Sequence, residues 1–335
     1  MDKWIKEEFN KFSGSILVRK GEETIINSGF GLGDELNKIN NASNTRFMIG
    51  SISKMFTAVA IMKLYEEKKL DINDSASKYL NIKGLDTDIK IVNLLNHTSG
   101  LKNYVMCNKR FNLYNENDPL IIAKDICSMK RDFKVGKKLS YSNTGYLILA
   151  LIIENISKIK FEEYIENNIL VPLNMNNSEF LSRSNKERAI GYKKGKAQGI
   201  FHHSAFFGCG DIISTTGDLK KFILAFNGGE IVRKDLVEKM KEISAKNKLM
   251  RYGYGCMITE LAGGKGFGHG GSVPNSFSSQ ISHYNNGDIT IIILCNDIRS
   301  VKNCVPGVLI TQYMERCIYE KLTLTKLSYI NKIIF

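Results

Sequence analysis

The sequence predicts an α+β protein in which strands from the two chain ends build one sheet around a largely helical insertion. Three observations point there. Strand signals open the chain, helical patterns dominate from 51 to about 170, and strand signals return after about 250. The expected division is residues 1–50 plus 206–335 for the mixed sheet region and 51–205 for the mainly helical region.

Residues 2–11 read as a short helix, and 14–19 and 22–28 as two strands around Lys20-Gly21. In the helical stretch, Asp118-Pro119 opens a helix with Asp at the cap and Pro at the first helical position. Pro172 ends another helix after 161–171. Residues 276–284 and 289–295 flank Asn285-Asn286-Gly287-Asp288, a hairpin signal. The apolar run 289–295 reads as a central strand covered on both faces. A last long helix is expected near 301–321.

Of the 335 residues, 43% are hydrophobic and 24% charged, which excludes a disordered chain, a collagen-like repeat and a small disulfide scaffold. The longest apolar run, 147–153, stops at Glu154, far short of the roughly 18 residues a membrane span needs. The first eight residues lack an apolar signal segment, so a cytoplasmic location is expected unless a leader precedes them. Lys and Arg exceed Asp and Glu by 13, but the lysines are scattered in pairs such as Lys68-Lys69 and Lys137-Lys138. Without an Arg stripe and interleaved aromatics this excess reads as solvation, not as a nucleic-acid surface. Seven cysteines without a Cys-x-x-Cys pair read as reduced, mostly buried thiols, and no zinc-ligand spacing appears. No metal and no cofactor are expected. The oligomeric state is not legible.

Three segments could carry chemistry. In Gly50-Ser51-Ile52-Ser53-Lys54, Lys54 is the only charge between Ser51 and Met62, and apolar side chains surround the helix that follows. A lysine there is desolvated, and Ser51, three residues earlier, shares its face. A helix start adds free N–H groups, so nucleophile, proton acceptor and anion-stabilising donors come together. The spacing alone is weak, because it recurs in polar surroundings at Ser75/Lys78 and Ser157/Lys160. The second segment is Tyr141-Ser142-Asn143, at the entrance of an apolar helix. A tyrosine beside a cationic lysine can act as base and then acid, and Asn143 offers a donor and an acceptor to a substrate. Read blandly, it is a capping loop with a packed Tyr. The third is Gly266-Phe267-Gly268-His269-Gly270-Gly271-Ser272, where glycines allow close backbone approach and the Ser272 N–H could serve an oxyanion.

Ser-x-x-Lys, Tyr-x-Asn and His-x-Gly, in that order, resemble the serine β-lactamase and penicillin-binding-protein superfamily. More narrowly the chain is similar to class C β-lactamase-related serine hydrolases, which include DD-peptidases, D-aminopeptidases and esterases. Leu94-Leu95-Asn96-His97-Thr98-Ser99-Gly100-Leu101, Pro172-Leu173-Asn174-Met175 and the stretch from Gly208 to Asp218 resemble further blocks of that family. The resemblance covers about residues 12–320 and implies one catalytic domain. Its fold would be an antiparallel sheet flanked by helices (an α/β sandwich) plus an all-helical region, with the site at their junction. It also implies roles: Ser51 acylated, Lys54 and Tyr141 sharing proton transfer, the N–H groups of Ser51 and Ser272 as oxyanion hole, Asn143 holding the acyl-side carbonyl or amide. His97 would organise structure.

Departures narrow the expected substrate. Many relatives carry Lys-Thr-Gly where this chain has His269-Gly270-Gly271. Unperturbed His is mostly neutral above pH 7, and Gly270 lacks a hydroxyl for a substrate carboxylate. No Glu-x-x-Leu-Asn segment occurs, so Tyr141 would serve both half-reactions. The expected activity is hydrolysis of an ester, amide or D-amino-acid peptide through an acyl-enzyme, with weak or no β-lactam hydrolysis. The alternative is a penicillin-binding or ligand-sensing module that acylates without turnover. The partner in either case is a small molecule or peptide.

Overall fold

A computed structural model describes residues 1–107, 111–193, 195–199, 201–261, 264–298 and 310–323. Helix α1 (Asp2–Glu8) precedes β1 (Gly14–Lys20), β2 (Glu23–Phe30) and the short strands β3 (Leu32–Asp34), β4 (Ile39–Asn40) and β5 (Phe47–Met48). A 3-10 turn (Gly50–Ile52) leads into α2 (Ser53–Glu66), followed by α3 (Ile91–Leu95), α4 (Pro119–Cys127), α5 (Asn143–Ser157) and α6 (Phe161–Ile165). Short strands β6 (Glu179–Phe180), β7 (Tyr192–Lys193), β8 (Lys196–Ala197) and β9 (Ile212–Ser214) come before α7 (Thr216–Gly228) and α8 (Lys234–Met240). Then come β10 (Ala245–Lys246), β11 (Arg251–Tyr252), β12 (Met257–Leu261), β13 (Gly264–Val273), β14 (Phe277–Tyr284), β15 (Ile289–Cys295) and α9 (Ile310–Thr323).

Eight strands form one antiparallel sheet in the order β10-β11-β12-β13-β14-β15-β1-β2. The two chain ends meet where β1 pairs with β15, Gly14 opposite Cys295. Both strands are apolar on both faces because both faces are covered. Ile16, Val18, Ile291 and Ile293 pack with Tyr313, Met314 and Ile318 of α9 and with Ile5 of α1. Leu17, Ile292 and Leu294 face the other way, into the large core that continues through α7 and the helices. The hairpin expected at 285–288 joins β14 to β15, with Tyr284 opposite Ile289.

The helices from α2 to α6 pack around α5, which is buried from Thr144 to Ile153. Asp118 caps α4 through the N–H groups of Leu120 and Ile121. Helix α2 is buried from Ser53 to Met62 and reaches the sheet side, where Phe56 stacks on Phe222 of α7 with centroids 3.9 Å apart. It therefore sits between the helical group and the sheet.

Two expectations need adjustment. The first helix stops at Glu8 because Phe9 and Phe12 turn into the core. The part of the expected helical region after 170 holds short strands, with β5, β9 and β6 forming a small sheet. No helical apolar period supports a helix there, and Asn174 and Gly195 adopt positive φ. The described last helix begins at Ile310, and residues 301–309 of the expected helix lie outside the described residues. The six described cysteines are free, five of them buried, and Cys304 lies outside the described residues.

Candidate active site

Ser51 lies in the 3-10 turn that feeds α2, and Lys54 in the first turn of that helix. Lys54 is 0% exposed. Its ammonium group is nevertheless not in a bare apolar shell. Nζ donates to Ser51 Oγ at 3.0 Å, Asn143 Oδ1 at 2.7 Å and the Cys209 carbonyl at 2.9 Å. Three protons meet three acceptors. The rings of Tyr141 and Tyr146 add aromatic faces at 4.9 and 5.5 Å from centroid to Nζ, which favour a cation there. Ser53, the other serine beside Lys54, faces away and accepts the Ile212 N–H. The geometry therefore singles out Ser51.

Gly50 makes this corner possible. Its φ is +51°, and a Cβ on it would lie 2.9 Å from the backbone N and O of Ser272. Gly271 is the reciprocal case, since a Cβ there would sit 2.1 Å from the Ile49 carbonyl. Glycines on both sides let the end of β13 press against the turn that holds Ser51.

Tyr141 and Asn143 come from the entrance of α5. Asn143 is its first residue, and its N–H donates to Asn103 Oδ1 at 3.1 Å. His97 clamps the backbone on both sides of Tyr141. Its carbonyl accepts from the Ser140 N–H at 3.0 Å and its Nδ1 from the Ser142 N–H at 3.2 Å. Its ring lies 4.3 Å from that of Tyr141 and 4.6 Å from that of Tyr252. The expected organising role for His97 matches this geometry. The Tyr141 hydroxyl is buried and has no hydrogen-bond partner among the described residues.

Sequence reasoning put His269 against the substrate, but its ring is 0% exposed and stands behind Tyr141. Nδ1 lies 2.5 Å from the Gly270 carbonyl, which only accepts, so Nδ1 carries the proton. Nε2 then accepts from the Tyr252 hydroxyl at 2.9 Å. Both nitrogens are engaged. Gly270 faces α9, and a Cβ there would meet Gln312 Nε2 at 2.7 Å and Gln280 Oε1 at 3.0 Å. Those amides fill the space a threonine side chain would take. Ser272 is exposed, at the open end of the strand.

Burial and the Lys54 charge hold both imidazoles neutral. His269 is lowered to about 3 and His97 well below its ordinary value, each by desolvation first and Lys54 second. Burial raises the Tyr252 and Tyr146 phenols well above 10. Asp211, two residues past the Cys209 carbonyl that binds Lys54, is pushed up to about 8 by burial, and its Oδ1 has no hydrogen-bond partner among the described residues.

The structure thus brings Ser51, Lys54, Tyr141, Asn143, His269, Gly271 and Ser272 to one place. Tyr146, Tyr252 and Cys209 were not singled out as site residues. Tyr146 lies three residues past Asn143 in the same helix, Cys209 lies inside the Gly208–Asp218 stretch, and Tyr252 is followed by glycines at 253 and 255, much as glycines flank His269. Among the described residues no helix is long and apolar enough to cross a membrane.

Comparison with known proteins places this geometry in context. The chain is 31% identical over 296 residues to the Bacillus subtilis (strain 168) protein named "Putative penicillin-binding protein PbpX", covering 86% of this chain and 71% of that one. It is 33% identical over 204 residues to Protein flp of Staphylococcus aureus (strain N315), covering 58% of this chain but only 41% of that relative. The octameric penicillin-binding protein homologue from Pyrococcus abyssi superposes with a TM-score of 0.83 at 28% identity, over 97% of this chain and 77% of that one. The family description "Beta-lactamase" matches residues 1–303. The chain belongs to the Beta-lactamase family, within the serine β-lactamase and penicillin-binding-protein superfamily of serine hydrolases.

Proposed function

We propose that this chain is an acyl-transfer hydrolase in which Ser51 forms the acyl-enzyme. One observation carries the reading: Lys54 Nζ is 3.0 Å from Ser51 Oγ and 2.7 Å from Asn143 Oδ1. A hydroxyl, a buried amine and an amide from separate motifs converge on one point, as nucleophilic catalysis requires.

In this reading the Lys54–Tyr141 pair enters one proton short of an ammonium plus a phenol, and Ser51 Oγ bonds to the substrate carbonyl carbon while its proton passes to that pair. The N–H groups of Ser51 and Ser272 hold the oxyanion. The same pair then protonates the leaving oxygen or nitrogen as its bond breaks. A water molecule repeats the sequence on the acyl carbon, and Ser51 departs with the returned proton. Asn143 orients the acyl-side carbonyl or amide. The substrate-binding role expected of Gly270 and Gly271 gives way to packing, since the space beside them is filled by Gln312, Gln280 and the Ile49 carbonyl, and His269 acts through Tyr252 and Tyr141.

The substrate is an ester, amide or D-amino-acid peptide, with weak or no β-lactam hydrolysis. A neutral, buried His269 supplies no cation to a substrate carboxylate, and Gly270 supplies no hydroxyl. Nitrocefin, short-chain esters and D-alanyl peptides assayed in parallel test this. Nitrocefin turnover faster than all others would overturn the substrate assignment. Release of one equivalent of p-nitrophenol and no more would replace the hydrolase with an acylating sensor.

A further inference from the structure

A cavity of about 420 Å³ opens at the end of β13. Met48 and Val273 are among its walls. Met48 precedes Ser51 by three residues and Val273 follows Ser272 directly. Chain length alone holds these walls within about 11 Å of the two residues. Apolar side chains (Met48, Phe201, Val273, Phe277) form much of the lining, and Arg188 stands on it as well.

Arg188 is partly buried and makes no hydrogen bond or ion pair among the described residues. Its neighbour Arg46 is matched differently. Arg46 pairs with Glu179 and also donates to the carbonyls of Asn177 and Glu187. Burial, then the Arg46 charge, disfavours the charged Arg188 guanidinium, and the opposing pull of Glu179 is already spent on Arg46. A guanidinium does not give up its proton under ordinary conditions, so an anion is what relieves it. Of the other charged lining groups, Lys186 and Glu187 are exposed and cancel each other. A second cavity of about 330 Å³ also touches Arg188, but Asp34 and Glu187 line it alongside Arg46 and Arg188, so its lining has no excess of positive groups. The excess positive charge therefore belongs to the first cavity.

We propose that this cavity is a subsite for a carboxylate carried on the acyl portion of the substrate, held by Arg188, with the connecting chain lying against Met48, Val273 and Phe277. The acyl side follows from position. The cavity lining includes Val273, directly after Ser272, and neither Lys54 nor Tyr141, the pair that would protonate the leaving group. The chemistry rests on the Ser51 reading; the binding does not.

The test compares p-nitrophenyl monoesters of glutaric, adipic and pimelic acid with the same esters whose free carboxylate is capped as a methyl ester. The full chain should prefer at least one free acid by about 10-fold or more in kcat/KM, the scale of one charge-assisted bidentate pair. Arg188→Met should bring that ratio near one, and Arg188→Lys should keep part of it. Equal turnover of capped and free esters by the parent protein overturns the subsite, as does a preference that survives Arg188→Met. Binding is read separately as the thermal shift given by monomethyl adipate to the Ser51→Ala protein, with and without Arg188→Met. A shift that needs Arg188, in a parent protein that turns over no ester, supports the subsite while removing the Ser51 reading. No shift overturns the subsite alone, and an equal shift from acetate or phosphate reduces it to an unselective anion site.

Discussion

Two stretches of this chain carry the same Ser-x-x-Lys spacing and end in opposite surroundings. At Ser51/Lys54 the lysine is 0% exposed and bonds Ser51, Asn143 and the Cys209 carbonyl. At Ser75/Lys78 the serine accepts the Ser77 N–H to start a 3-10 turn, and the Lys78 side chain, 61% exposed, pairs with Asp74. The spacing recurs at Ser99/Lys102, where Ser99 accepts the Leu101 N–H and Lys102 pairs with Asp132 near the surface. Spacing puts a hydroxyl and an amine on one face. Burial and acceptors from distant segments are what set Ser51/Lys54 apart. At a surface, water competes for both groups, whereas inside each polar contact is stronger and its loss costs more.

The contrast can be broken most directly at the nucleophile. Ser51→Ala should lower kcat/KM by at least about 10⁴-fold and abolish fluorophosphonate labelling, with circular dichroism unchanged. Labelling that persists on another serine would move the site. Lys54→Ala and Tyr141→Phe should each cost at least about 10²-fold in rate. Near-normal turnover in either removes that residue from the proton path.

A smaller effect sharpens the comparison through stability. Asp211 keeps its proton to about 8 in the folded chain but to 3.8 as an ordinary Asp, so the folded state holds more protons between those values. Its contribution is intact below about pH 4 and is lost as pH rises toward 8. Asp211→Asn should raise Tm at pH 8 by at least about 2 °C and change it less at pH 4. An equal shift at both values would show that burial of Asp211 is not the cause. His269 works in the opposite direction. Lowered to about 3 from 6.5, it contributes stability above pH 6.5 that fades as pH falls toward 3. The smallest effect belongs to the surface pair. Ser75→Ala and Lys78→Ala should leave ester turnover within about twofold, the range of surface substitutions. A large loss there would erase the distinction between the two stretches.

Much of the architecture was legible because it rests on local signals. The Asp118-Pro119 start, the 285–288 turn and the unbroken apolar run of β15 each declare an element within a few residues. The same is true of the apolar ring around Lys54. The short strands after 170 were not legible, since two- and three-residue strands carry no periodicity to read. Nor was the orientation of His269. Its glycine neighbours suggested openness, while the fold covers the ring with Tyr252 and Tyr141.

What the sequence determined by itself was the longer helices and strands, the buried lysine and the order of its motifs, because hydrophobic period, caps and turn residues act over one or two turns of chain. Only the tertiary structure decided which groups face one another. Asn143 bonds a lysine 89 residues away. Among the described residues the Tyr141 hydroxyl is left without a hydrogen-bond partner, and Arg188 lines a cavity without an ion pair of its own. Contacts between remote segments depend on how helices and sheet pack, and no local pattern encodes that distance.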